Sequence, residues 1–227
     1  MNGFWLLLLD ELKHLKRVRY LNYIWISVPL VLSLIAFLSV DNTDIFVLPI
    51  NFVVAMLCIL GCIGTGAVLT STLISDISTK AIVPFLVRPV SKTVILFSRM
   101  MAVVVSLTGV LIFSVLITNT AIYYLFSFSA TYDQPLSLII MRSLAQIICT
   151  VSLGVILGTS ISSIATGTGA YIILCMQMHP IIIGLADYSP NWFGDKPILI
   201  GAILVFMSLI IMWLSLIKAS KLLKDKN

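Results

Sequence analysis

Five long runs free of Asp, Glu, Lys and Arg divide this chain, and short charged clusters separate them. The runs are Tyr20–Val40 (21 residues), Ile45–Ser75 (31), Met100–Tyr132 (33), Ser143–Ala186 (44) and Pro197–Ile217 (21). A helix of roughly 20 residues crosses the ~30 Å hydrocarbon layer of a bilayer. The 44-residue run is long enough for two crossings, and its polar, Gly-rich stretch from Gly158 to Gly169 marks the turn between them. The pattern therefore predicts six transmembrane helices, over 22–40, 47–74, 97–125, 138–158, 164–178 and 198–217. Backbone polar groups in lipid must be satisfied internally, and the ten-residue alternation of a membrane barrel is missing, so the predicted class is an all-α membrane protein.

The remaining segments follow from the same pattern. Residues 3–21 predict an amphipathic helix lying in the interface, with Trp5, Leu8, Leu9, Leu12 and Leu15 on its apolar face. Asp10, Glu11, Lys13, His14, Lys16 and Arg17 take the opposite, headgroup-facing side. The apolar start at Phe4–Leu9 is too short for a signal peptide and leads straight into Asp10 and Glu11, so it is expected to stay on the mature protein. Residues 179–197 carry Pro180, Gly184, Pro190, Gly194 and Pro197, which predicts a broken outer segment after the fifth membrane helix. Nothing in the 227 residues suggests a soluble domain; 1–227 reads as one transmembrane domain.

Charge sets the expected topology. Six crossings place both termini on one side, and 12 of the 14 Lys and Arg fall there: Lys13, Lys16, Arg17, Arg19, Lys80, Arg88, Lys92, Arg99, Lys218, Lys221, Lys224 and Lys226. The positive-inside rule makes that side cytoplasmic and the chain a multi-pass protein of the cell membrane. The net charge of +5 is accounted for by topology and contact with anionic lipid, so nucleic acid is not an expected partner.

Chemistry is sparse. Ionisable groups inside spans mark relays and active sites, and here Arg99 and Arg142 sit only at helix ends, Arg99 within reach of the interface. No HExxH, GxSxG or Walker A sequence occurs, so neither catalysis nor ATP hydrolysis is expected of this chain. Cys58, Cys62, Cys149 and Cys175 all lie in spans; Cys58 and Cys62 share a helix face at i, i+4, but neither His14 nor His179 is near that pair in sequence and no CxxC occurs, so the cysteines read as packing residues rather than metal ligands. Gly61, Gly64 and Gly66, and the GxxxG at Gly154–Gly158, predict close helix packing, within the chain or against a second copy.

The segment between the second and third membrane helices is too apolar for a solvated linker. Ile77, Ile82, Val83, Phe85, Leu86 and Val87 alternate with Asp76, Lys80, Arg88 and Lys92. Such a stretch either lies on the membrane or docks into a groove of a cytoplasmic partner. Asp76 precedes Pro89 by thirteen positions, Pro89-Val-Ser-Lys92 forms a turn, and Arg99 follows ten positions after Pro89. In this arrangement the segment resembles the loop between helices two and three of type-2 ABC transporter permeases. Two positions depart from that pattern: Lys80-Ala81 replaces the usual Gly-Thr pair, and Pro84 interrupts the apolar stretch.

The resemblance implies the permease half of an ATP-driven exporter, non-catalytic itself and coupled to two copies of a separate P-loop ATPase that binds the ATP and Mg. A second permease copy or a related permease would complete the pathway. It further implies that the 76–92 loop couples to the ATPase through Asp76, Lys80, Phe85, Leu86, Arg88 and Pro89. Helices two and five would face the partner permease, which places Gly61, Gly64, Thr65, Thr72, Ser163, Thr166, Thr168 and Tyr171 at the pathway or dimer interface. A route lined by Thr, Met and Tyr without charge suits an amphipathic or apolar cargo: a lipid, a hydrophobic peptide or a drug. The loop alone also fits a membrane scaffold or accessory subunit that recruits a cytoplasmic protein without transport. A secondary carrier is disfavoured, since inverted repeats and a midplane charge are both lacking.

Overall fold

The computed structural model describes residues 3–17, 57–79, 91–126, 136–187 and 197–225, together with Val31. Among them six α-helices follow one another: α1 (Gly3–Arg17), α2 (Cys62–Ser78), α3 (Lys92–Phe126), α4 (Leu136–Ser160), α5 (Ile164–Asp187) and α6 (Pro197–Asp225). A π-helical turn, Leu57–Gly61, leads into α2. The described residues contain no strand. Four helices carry windows long and apolar enough to cross a membrane, Ile59–Ser78, Thr93–Phe113, Ser137–Ser160 and Ile198–Leu223. The expected first membrane helix, 22–40, apart from Val31, and the start of the second, 47–56, lie outside the described residues.

Polar residues set the helix ends. α2 closes where the hydroxyls of Ser78 and Thr79 both donate to the Ser75 carbonyl, at 2.9 and 2.7 Å, and draw the last turn shut. Between α4 and α5 the Ser163 hydroxyl accepts from the Thr166 hydroxyl at 3.2 Å and lies 3.5 Å from its amide, an N-cap for α5. The expected break at 158–169 is thus only Ile161, Ser162 and Ser163. Its glycines are not turn residues. Gly158 lies inside the last turn of α4, and Gly167 and Gly169 lie inside the first two turns of α5.

Several expected boundaries move: α2 ends at Ser78 instead of residue 74, α3 starts at Lys92 instead of residue 97, and two ends shift further. α5 does not stop at residue 178 but runs through Pro180 to Asp187, so the first part of the expected broken segment 179–197 is helical. Pro180 removes one backbone donor, whereas ending the helix there would leave up to four carbonyls without intrahelical donors in an apolar setting. α6 likewise continues past residue 217 through the basic tail to Asp225. Ala219 and Leu223 are buried while Lys218 and Lys221 stay exposed, so tertiary packing of one face carries the helix beyond its apolar run.

α4 is the centre of the bundle. It packs against α6, α2, α5 and α3, and 61% of its membrane window is buried, against 22% for α6. α6 presents Ile203, Phe206, Ile210, Trp213, Leu214 and Ile217 outward, the side chains that a lipid-facing helix requires. The core joins Leu69 and Leu73 of α2, Met100 and Leu107 of α3, Val151 and Val155 of α4, Tyr171 and Cys175 of α5, and Leu216 of α6.

The tightest seam runs between α2, α4 and α5. Tyr171 is completely buried, and its hydroxyl donates to the Cys62 carbonyl at 2.7 Å. Its ring occupies the space that a side chain at Gly66 would need, and it also borders Gly154. The Thr70 hydroxyl reaches the Gly66 carbonyl at 2.8 Å and the Gly154 carbonyl of α4 at 3.3 Å. Gly158 lies against Leu73. The Gly154–Gly158 motif therefore packs within the chain. Its glycines let α4 approach α2 closely enough for a hydroxyl to touch both backbones.

Gly66→Ala is expected to lower stability by about 1–3 kcal/mol, because the new Cβ has no room beside Tyr171. Gly109→Ala, whose Cβ would meet nothing within 4 Å, is expected to leave stability unchanged or slightly raised. Thermal unfolding of the two variants in one mild detergent checks the contrast.

Candidate functional site

Arg99, about two turns into α3, forms two ion pairs with other described residues. Nη1 of Arg99 donates to Oδ2 of Asp76, in the last turn of α2, at 2.7 Å. Nε of the same guanidinium donates to Oε1 of Glu11 on α1 at 2.9 Å. One cation thus joins three helices at the end of the bundle where α2 stops and α3 begins.

The setting explains the geometry. A helix crossing apolar surroundings cannot hold an isolated guanidinium cheaply, and the planar fork of Arg can serve two carboxylates at once. Met100 and Leu96, its neighbours in sequence and on the helix, are almost fully buried, so Arg99 sits at the edge of the core. Its side chain is 14% exposed and each carboxylate 29%, so the pairs are stronger than surface salt bridges and weaker than fully desolvated ones. Arg99, expected to reach the interface, pairs with two carboxylates of neighbouring helices.

α1 reaches the site by packing on α3. Phe4 stacks on Phe97 with ring centroids 5.4 Å apart and Leu8 is buried, which sets Glu11, one turn further on the same face, over Arg99. The expected division of α1 changes accordingly. Glu11 faces the bundle instead of headgroups, while Trp5 and Leu9 of the expected apolar face are exposed, as is Leu6.

The positions singled out from the sequence are dispersed. Asp76 lies in the ion-pair cluster. Lys80, Phe85, Leu86, Arg88 and Pro89 lie outside the described residues. Gly61 closes the π-helical turn beside Leu107, and Gly64 and Thr65 are half-buried. The Thr65 hydroxyl bonds back to the Gly61 carbonyl. Thr72 is exposed on α2, with its hydroxyl turned back to the Leu69 carbonyl at 3.0 Å. Ser163 and Thr166 are exposed together at the start of α5, and Thr168 bonds the Ile164 carbonyl at 2.7 Å. Tyr171 belongs to the interior seam of the chain itself.

Three residues outside that set proved structurally prominent. Glu11 had no sequence signal beyond its charge in an amphipathic helix. Gly66 was one of three clustered glycines, and only the tyrosine ring singles it out. Gln146, 2% exposed on α4, is one of two amide side chains, with Gln177, in a 44-residue uncharged run, and only its burial in the bundle singles it out.

Arg99→Gln leaves two partly buried carboxylates facing one another, so it is expected to cost about 2 kcal/mol, more than Asp76→Asn or Glu11→Gln at about 1 kcal/mol each. Combining Arg99→Gln with Asp76→Asn should cost less than the sum of the two. Unfolding midpoints of the four variants in detergent test the order and the coupling. No protein-family model matches this chain, and no curated protein matches it.

Proposed function

We propose that the chain is the permease subunit of an ABC-2-type exporter, with the 76–92 loop as the part gripped by a separate P-loop ATPase. The single observation that supports this reading is the 2.7 Å bond between Asp76 and Arg99. These are the acidic and basic positions that bracket the loop in the resemblance, and they meet in space. A loop whose two ends are tied by a charge-assisted bond moves as a unit. A push on it reaches α2 and α3 together instead of being absorbed by a slack connection.

From there the path inward is made of close contacts. α2 meets α4 through Thr70, Gly154 and Gly158, and meets α5 through Tyr171. Well-packed seams resist continuous deformation, so displacement of α2 favours a second discrete packing over gradual bending. ATP energy would enter as a change in the relative stability of the two packings. The permease holds no nucleotide; ATP and Mg belong to the ATPase.

In this reading the four membrane windows, α5 and the segment 22–40 make six crossings, with α1 in the interface and both termini cytoplasmic. Two permeases and two ATPase copies form the working assembly. The cargo is amphipathic or apolar, because the half-buried and exposed polar groups of α2 and α5 named above are hydroxyls, which bond their own backbone and add no fixed charge.

Purification of the tagged protein from its native host in mild detergent is expected to bring down a near-stoichiometric protein containing GxxxxGK[ST]. Phe85→Asp combined with Arg88→Glu is expected to abolish that association and any ATP-dependent transport, while the permease stays folded. Absence of a P-loop ATPase across several mild detergents, or its retention by the double variant, would count against the reading.

A further inference from the structure

We infer that Glu11 is a positioning residue, through which α1 acts as a strap holding the base of the α2–α3 loop, so that α1 and the loop ends move together. This goes beyond the permease reading and stands whatever binds the loop.

Three observations place the strap. First, α1 docks on α3 through contacts of one face at i, i+4 and i+7: Phe4 on Phe97, buried Leu8, and Glu11 on Arg99. Second, the Glu11 bond uses Nε of the guanidinium whose Nη1 holds Asp76. The guanidinium is rigid and planar, so fixing Nε fixes the direction in which Nη1 points. Glu11 therefore sets the aim of the bond that joins α2 to α3 by acting on the guanidinium that Asp76 also holds. Third, the opposite side of α1 exposes Trp5, Leu6 and Leu9, at 56%, 56% and 49%. In a membrane setting that side carries apolar area that a lipid leaflet can hold, while the inner side is latched by charge.

The consequence is mechanical. If Glu11 lets go, Arg99 keeps Asp76 but loses its second restraint, and the guanidinium is free to swing about χ angles that Glu11 had locked. The last turn of α2, closed by the Thr79 amide donating to the Ser75 carbonyl at 2.9 Å, and the first turn of α3, where Val94 donates to Ser91 at 2.9 Å, both loosen. A purely local role for Glu11 would loosen α1 alone.

Hydrogen exchange read by mass spectrometry distinguishes these cases. The full-length protein is placed in nanodiscs of phosphatidylcholine and phosphatidylglycerol, with no ATPase present. Glu11→Gln is expected to raise exchange about tenfold, the weight of one charge-assisted hydrogen bond discounted for partial exposure, in peptides covering residues 75–79 and 92–97 as well as in α1. Peptides around Tyr171 should exchange as in the native protein. Glu11→Asp, which keeps the charge on a shorter arm, should fall between the two. It carries the same comparison if Glu11→Gln does not fold. An increase confined to α1, an increase spread equally through α4 and α5, or no increase would each overturn the inference. A chain that binds no ATPase at all still gives a clear answer here, so the two proposals fail separately.

Discussion

A single guanidinium, that of Arg99, organises the end of the bundle where the loop begins. Moving a charge toward apolar surroundings carries a desolvation cost, and only fixed counter-charges offset it. Asp76 and Glu11 supply them from two other helices, at 2.7 and 2.9 Å. Either acid separated from Arg99 would lose its counter-charge in the cluster, while the other would still neutralise the guanidinium. The register of α2 against α3, and the seat of α1 on α3, depend on that balance.

Elsewhere in the bundle polarity is hidden instead of paired. Thr150, Ser152, Thr159, Ser208 and Ser215 are buried, and each hydroxyl turns back to a carbonyl three or four residues earlier in its own helix. Back-bonding satisfies a hydroxyl without a partner helix, which leaves the approach of helices to be set by side-chain volume. Thr70 and Tyr171 are different. Each joins backbones of separate helices, and each is possible only because a glycine stands opposite. The polar contacts that specify which helices meet are few, and they coincide with the sites of closest approach.

These two features divide the labour in the proposed permease. The ion-pair cluster makes the loop ends respond as one, and the glycine seam carries a displacement of α2 into α4 and α5. Between them lies Leu73, fully buried in α2, and Ile74 beside it, so the connection is made of buried hydrocarbon. α6, which exposes most of its apolar surface, forms the lipid-side wall on which the centre of the bundle rests.

Helix content and membrane character were legible from hydropathy alone, because a run of about 20 uncharged apolar residues has few stable alternatives to a spanning helix. The turn between α4 and α5 was found in the right stretch, though its serines and not its glycines make it. The end of α5 was misplaced at Pro180, since local propensity counts the lost amide and not the carbonyls that stopping would strand. The end of α6 was misplaced because buried Ala219 and Leu223 extend a helix that composition would end. For the candidate site, the sequence by itself determined that Asp76 and Arg99 bracket an apolar, basic loop. Only the tertiary structure decided that they touch, that Glu11 of α1 shares the same guanidinium, and that Tyr171 fills the space over Gly66. Periodicity reports which face of a helix is apolar, but which partner covers that face depends on contacts between residues 88 and 109 positions apart, and no local pattern encodes those.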